Sequence, residues 1–237
     1  MMRILTVSAL LGIAACSHGD LGSAKVVAGA SDASVTVIVV ARGNEPGWRV
    51  TIGAKETEFL LDYGERRFTA PTPRAEMTDA GAVYRYAGAT LTISDAICAD
   101  DATGMPYPKV AVLEEGGLKM SGCAGEPASL LTGDEWVVED IGGGGVIDFA
   151  RTSMMFTEDG KVSGSGACNR YGGTYALNGE GLSFGPIAAT KKGCPPAVMD
   201  QENRFFAALE SVDRFEIDET GALVLYGADA PLLLARR

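Results

Sequence analysis

Hydrophobic positions from Val35 to Ala124 alternate with polar ones in short runs: SVTVIVVA, WRVTI, TEFLL, VYRYA, TLTIS, KVAVL and LKMSG. Successive side chains of an extended strand point to opposite faces, so alternation of this kind predicts strands with one buried face. In VYRYA, Tyr84 and Tyr86 flank Arg85; in TLTIS, Leu91 and Ile93 alternate with Thr90 and Thr92. Turn signals separate the runs, at Gly43 to Gly47, Asp79-Ala80-Gly81 and Glu114 to Gly117. No helical period occurs before residue 125. Residues 35–127 therefore read as a small antiparallel β-barrel or sandwich.

The stretch GCAGEPASLLTGDEW collects Gly, Pro and Ser and marks a boundary, with a second unit over residues 128–237. A new alternating segment begins at Trp136. MMFT turns through Glu158-Asp159-Gly160 into KVSG, and YGGTYAL turns at Asn178-Gly179, a two-residue hairpin signal, into LSF. PPAVMDQENRFFAALESV is helical: a proline suits the first turn, and Val198, Phe205, Leu209 and Val212 share a face, with Glu202 and Arg204 turned elsewhere. FEID, ALVLYG and LLLAR follow as strands. The fold class expected is mainly β, α+β, with one helix on an antiparallel sheet in the second half.

The opening segment changes the picture of where this fold resides. Arg3 precedes an apolar run, Ile4 to Ile13, which is shorter than the ~20 residues a membrane span needs. Ala14 and Ala15 then precede Cys16, the pattern of a secretory signal. Ile13-Ala14-Ala15-Cys16 also resembles the bacterial lipobox, which implies lipidation of Cys16 and removal of residues 1–15. Residues 16–34 are small and polar and read as a tether that, as a flexible coil, spans about 20–25 Å. By analogy with lipoprotein sorting, Ser17 implies an outer-membrane protein facing the periplasm.

Four cysteines remain beyond Cys16, in a compartment where disulfides persist. Three connectivities are open. The simplest is Cys98–Cys123 with Cys168–Cys194, one in each half, and each bond would contribute roughly 3–4 kcal/mol. Zinc is the weaker alternative: there is no CxxC, and the one histidine is His18, in the tether. No metal or cofactor is expected. The net charge of −11 argues against a nucleic-acid partner and offers no run of basic residues for an anionic lipid surface.

The second half resembles the META domain of HslJ-like heat-shock lipoproteins. Trp136, Phe156, GKVSGSGACNRYGGTYAL, AATKKGCP, MDQENRFFAAL, LVLYG and PLLLAR carry the resemblance in order. Ala167 departs from the family, which usually has glycine there, and Lys191-Lys192-Gly193 replaces a position that is often apolar. The resemblance implies an envelope protein linked to stress or drug tolerance, with no enzymatic activity. The first half is similar, more loosely, to an uncharacterised region of other envelope lipoproteins, through GNEPGWRVTI and CADDATGMPYPKVAVLEEGGLKMSGC. It also resembles the barrel of lysozyme-inhibitor lipoproteins.

Candidate chemistry is sparse. A Ser-His-Asp or Cys-His site needs an imidazole, and none lies outside the tether. IGGGGV lacks the Lys-Ser/Thr of a phosphate loop. Asp95, Asp100 and Asp101 read as a solvated loop without EF-hand spacing. Glu45 and Trp48 flank a Pro-Gly turn, and Trp48 is either a binding anchor or a core residue at a strand start. Asn169, Arg170 and Tyr171 form either a ligand loop or a structural loop pinned by a disulfide. The expectation is a non-enzymatic, membrane-anchored envelope protein that binds another envelope protein. The alternatives are an inhibitor of a lytic enzyme or protease that inserts a loop, and a hydrolase built on two carboxylates.

Overall fold

The computed structural model describes residues 37–179, 181–228 and 230–237. The signal segment, Cys16 and the tether lie outside these residues. The first half contains β1 (Val37–Asn44), β2 (Gly47–Gly53), β3 (Glu56–Leu61), β4 (Arg66–Pro71), β5 (Glu76–Thr78), β6 (Gly81–Tyr86), β7 (Ala89–Ser94), β8 (Cys98–Ala99), β9 (Pro106–Tyr107), β10 (Lys109–Glu115) and β11 (Leu118–Ala124). Nine of these make one antiparallel sheet in the order β4-β3-β2-β1-β11-β10-β7-β6-β5. Its buried face is the one the alternation predicted: Trp48, Val50 and Ile52 of β2, Phe59 and Leu61 of β3, Leu91 and Ile93 of β7, and Ala111 and Leu113 of β10.

A single sheet can bury one face only by curling. Arg66 at the start of β4 and Glu115 at the end of β10 are five strands apart in the order, about 24 Å if the sheet were flat. They nevertheless pair at 2.6 Å. Across the interior, Thr57 Oγ1 lies 3.0 Å from Tyr86 Oη, and the Phe59 and Tyr86 rings meet edge-on at 4.9 Å. The barrel-or-sandwich expectation thus resolves to a curled half-barrel. Its strand β4, RRFTAP, escaped the sequence reading because it is an edge strand with almost no buried positions.

The second half opens with a short helix, α1 (Ala128–Leu131), and continues through β12 (Trp136–Ile141), β13 (Ser153–Phe156), β14 (Lys161–Ser165), β15 (Arg170–Asn178), β16 (Gly181–Phe184) and β17 (Ala188–Ala189). After α2 (Pro196–Glu210) come β18 (Arg214–Ile217), β19 (Leu223–Gly227) and β20 (Ala230–Arg236). The sheet order is β16-β15-β14-β13-β12-β20-β19-β18, with β17 beside β15. Its two ends approach each other, since Leu182 N of β16 donates to Asp213 O just before β18 at 2.9 Å. Asn178, which the Asn-Gly signal put in the turn, is instead the last residue of β15 and pairs with Gly181 of β16.

Helix α2 starts with proline in its first turn and buries Val198, Gln201, Glu202, Phe205, Ala208 and Leu209. Full burial of Phe205 and Leu209 contributes roughly 1.5–3 kcal/mol each. Glu202 corrects the sequence reading, which turned it away from the core: it is 4% exposed. At the other end of the domain, Trp136 Nε1 donates to Leu131 O at 2.9 Å, and the Arg237 guanidinium lies 4.1 Å from the indole. Arg237 Nη2 also donates to Leu131 O and Thr132 O, which satisfies carbonyls at the end of α1.

The halves share part of their interior. Residues 98–107 leave the nine-stranded sheet as an arm whose ends pair as the β8–β9 ribbon. Met105 and Tyr107 on this arm, together with Cys123, pack in the same hydrophobic cluster as Trp136, Phe205 and Phe215 of the second half.

Candidate functional site

Trp48 is 4% exposed, so it is the core residue of the two alternatives and not a surface anchor. Two glycines make room for it. A Cβ on Gly43 would come within 2.3 Å of the indole nitrogen, and one on Gly122 within 2.8 Å of the ring. The indole N–H donates to Ser121 O at 3.3 Å, so its one polar atom is satisfied inside the sheet. Glu45 stays exposed at the turn. The surface aromatic there is Tyr63, 72% exposed, which the sequence reading missed. Its hydroxyl has one proton to share between two acceptors, Asn44 O at 3.0 Å and Glu45 Oε2 at 3.2 Å. Desolvation against the turn and the Glu45 carboxylate hold that hydroxyl above its ordinary pKa. Tyr63 and its neighbour Asp62 have φ of 58° and 53°, the left-handed region that L-residues seldom occupy.

The acidic trio divides. Asp95 pairs with Lys109, and Asp101 accepts from Asn44 Nδ2. Asp100 is 9% exposed, contrary to the solvated-loop expectation. Burial alone would raise its pKa. Hydrogen bonds from Asn44 Nδ2, the Thr103 hydroxyl and N–H, and Ala102 N outweigh burial and lower it. It is a turn-forming side chain that fixes the arm.

In the second half, Asn169 is 3% exposed and bonded through its N–H, Nδ2 and Oδ1, so of its two alternatives it is the structural one. Its N–H donates to Glu202 Oε2 at 2.6 Å and its Nδ2 to Glu202 Oε1 at 2.8 Å. Its Oδ1 accepts from Thr190 Oγ1 at 2.8 Å and Lys192 N at 2.7 Å. Cys168 N adds a third donor to Glu202 at 3.3 Å. One residue back along α2, Gln201 accepts from Ile147 N at 2.7 Å and donates to Ala150 O at 2.8 Å and Thr152 Oγ1 at 2.9 Å. The Gln201-Glu202 pair therefore pins two loops to one helix, and Asn169 ties a third, at 190–192, to the second of them. Tyr171 is also buried, donating to Ser153 O at 3.0 Å, with burial and then the Glu135 charge pushing its hydroxyl pKa far up.

Arg170 alone of the three loop candidates is exposed. It lines a shallow groove of about 550 Å³ with Glu135, Arg151, Ser153, Ser163 and Ser165. Arg151 pairs with Glu135 at 2.6 Å. Hydrogen bonds from Ser153 and Arg151 keep the Glu135 carboxyl below its usual range, so it is held ionised and is a weak base. The groove can pair with a polar or anionic surface.

Both expected disulfides are present, Cys98–Cys123 with Cα atoms 5.5 Å apart and Cys168–Cys194 at 6.1 Å. Among the described residues no group of three or more His, Cys, Asp or Glu is placed to hold a metal ion. No helix there is long and apolar enough to cross a membrane.

Comparison with known proteins adds a family for the second half. The META domain model matches residues 129–237. An NMR structure of a protein is similar over 46% of this chain and 92% of its own, at 24% identity and a TM-score of 0.38. A second, from Burkholderia xenovorans, covers 46% of this chain and 85% of its own, at 27% identity and a TM-score of 0.38. No curated protein matches.

Proposed function

We propose that this chain, whose residues 129–237 are a META domain, is a lipid-anchored envelope protein that acts by binding and not by catalysis. The observation that carries the reading is the commitment of its buried carboxylates. Asp100 and Glu202, the buried carboxylates, take four and three donors from the surrounding chain. Those bonds hold both side chains in structural positions, and the lowered pKa of Asp100 makes it a weak base at neutral pH. The four cysteines of the folded part are joined in pairs, and its sequence contains no histidine. The inhibitor alternative asked for a protruding loop bearing Trp48, and the buried indole withdraws that support.

The lipobox at Ile13 to Cys16 supports the anchor, and Ser17 supports an outer-membrane protein facing the periplasm. Several acyl chains on one residue hold a protein far more firmly than one chain does. A part in envelope stress or drug tolerance, through contact with another envelope protein, is what the META resemblance adds. Cells labelled with radioactive palmitate test the anchor: label on the native chain and none on Cys16→Ala is expected. Label retained on the variant overturns it, and recovery with inner membranes overturns the sorting. Assays of the mature chain on peptidoglycan, peptide and ester substrates test the rest. Turnover abolished by a single Asp or Glu substitution would refute the binding reading.

A further inference from the structure

A cleft of about 470 Å³ lies between the two halves, within the size range of small-ligand sites, which favour domain junctions. Its walls come from β1, the 98–107 arm, the 126–128 connection and the end of the β15–β16 hairpin. Met105, Pro127, Ala128 and Leu177 give it an apolar side. Arg42 is the one cation in its lining. The guanidinium carbon sits 5.2 Å from the centroid of the Tyr107 ring. Its Nε is buried and meets no acceptor, and the ion pairs among the described residues do not include Arg42.

A guanidinium whose Nε is buried without an acceptor leaves a desolvated donor that nothing in the fold offsets. Neither acid of the lining relieves it: the oxygens of Asp100 are already taken by Asn44, Ala102 and Thr103, and Glu126 makes no ion pair with Arg42. Arg42 therefore presents a planar set of donors suited to two oxygens of one carboxylate. With Asp100 and the exposed Glu126 both in the lining, the one guanidinium suits a ligand with a single negative charge and opposes one with two. We infer that this cleft binds a monocarboxylate with an apolar body, its oxygens on Arg42 and its apolar part against Met105, Pro127 and Leu177. Two sources share that chemistry: a small carboxylic acid, and the C-terminus of a chain that ends in an apolar residue. The inference goes beyond the binding reading above and does not depend on where the protein is anchored.

The test is an NMR titration of the ¹⁵N-labelled mature chain carrying Cys16→Ser. The probes are hexanoate, its neutral counterpart hexanamide, and an acetylated pentapeptide ending in leucine with a free or an amidated C-terminus. The acids are expected to shift amides of the arm, of 126–128 and of 177–179, with saturation. Each amide is expected to bind at least about tenfold more weakly than its acid, the effect of about 1.4 kcal/mol. Arg42→Gln is expected to remove the same preference. Tighter binding of the peptide assigns the site to a chain end, and tighter binding of hexanoate to a small molecule; both uphold the carboxylate site. Equal binding of acid and amide, shifts that map elsewhere, or no saturable response to either acid overturns it. The acid–amide comparison uses the native cleft, so it decides the matter even if Arg42→Gln fails to fold.

Discussion

Replacing Glu202 by glutamine keeps the shape of a buried side chain and exchanges one acceptor for a donor. If the amide oxygen takes the place of Oε2, the bonds from Cys168 N and Asn169 N survive as neutral ones, and the new NH2 faces Asn169 Nδ2. Asn169 cannot turn over to help, since its Oδ1 already accepts from Thr190 and Lys192 N. The opposite orientation loses both main-chain bonds. The better arrangement forfeits one bond, leaving a buried donor unsatisfied at about 1–3 kcal/mol, and weakens two charge-assisted bonds by about 1 kcal/mol each. Removing the burial cost of the carboxylate offsets part of this. The net loss expected is about 2–3 kcal/mol, a fall of roughly 5–10 °C in the thermal midpoint for a chain of this size. Urea unfolding of residues 17–237 measures it, and hydrogen exchange at the Asn169 amide localises it. A loss below about 0.5 kcal/mol, with Asn169 exchange unchanged, would refute the assignment of Glu202 as the tie between α2 and its loops.

Ala167 has φ of 100°, so Ala167→Gly should relieve about 1–2 kcal/mol of strain against a Gly entropy cost of about 0.5–1, raising stability by about 0.5–1 kcal/mol; a lower thermal midpoint would contradict this. Trp48→Ala should cost about 3–5 kcal/mol by urea unfolding, as for a core aromatic, and a near-neutral result would return Trp48 to the surface. The lowered pKa of Asp100 means that its contribution is full above the unfolded carboxylate range, near pH 4, and is lost as pH falls through the folded value. Asp100→Asn should therefore lose about 1 kcal/mol at neutral pH, with the gap to the native chain closing in acid; a gap that widens in acid would defeat the assignment.

Alternation was enough to find the strands with a buried face, because Trp48, Val50 and Ile52, or Leu91 and Ile93, alternate with outward residues as a one-sided sheet requires. It could not find β4, where Arg66 and Arg67 face water and the strand is held by main-chain bonds to β3. It could not choose barrel or sandwich either, because curl depends on pairs such as Arg66–Glu115 that are distant in sequence. Glu202 was legible and passed over: it lies four residues after Val198 and three before Phe205, on the buried face by period, and its charge argued against the position. Trp48 and Asn169 were found as positions of interest, but their burial rests on Gly122, Thr190 and Lys192, far along the chain. The Arg42 cleft left no trace in sequence, because it assembles four separated segments.

The arm at 98–107 gives the order of synthesis a meaning. A chain grows from its N-terminus, and domains tend to fold as they emerge. Cys98 and Cys123 both precede residue 129, so every residue needed to close that bond, once the chain is in an oxidising compartment, and to seat Asp100 on Asn44 lies ahead of residues 129–237. Met105 and Tyr107 are then held out, apolar and without their neighbours, until Trp136, Phe205 and Phe215 arrive. The earlier half supplies a ready-made face on which the later one condenses, and a chain cut before residue 136 would leave that face bare.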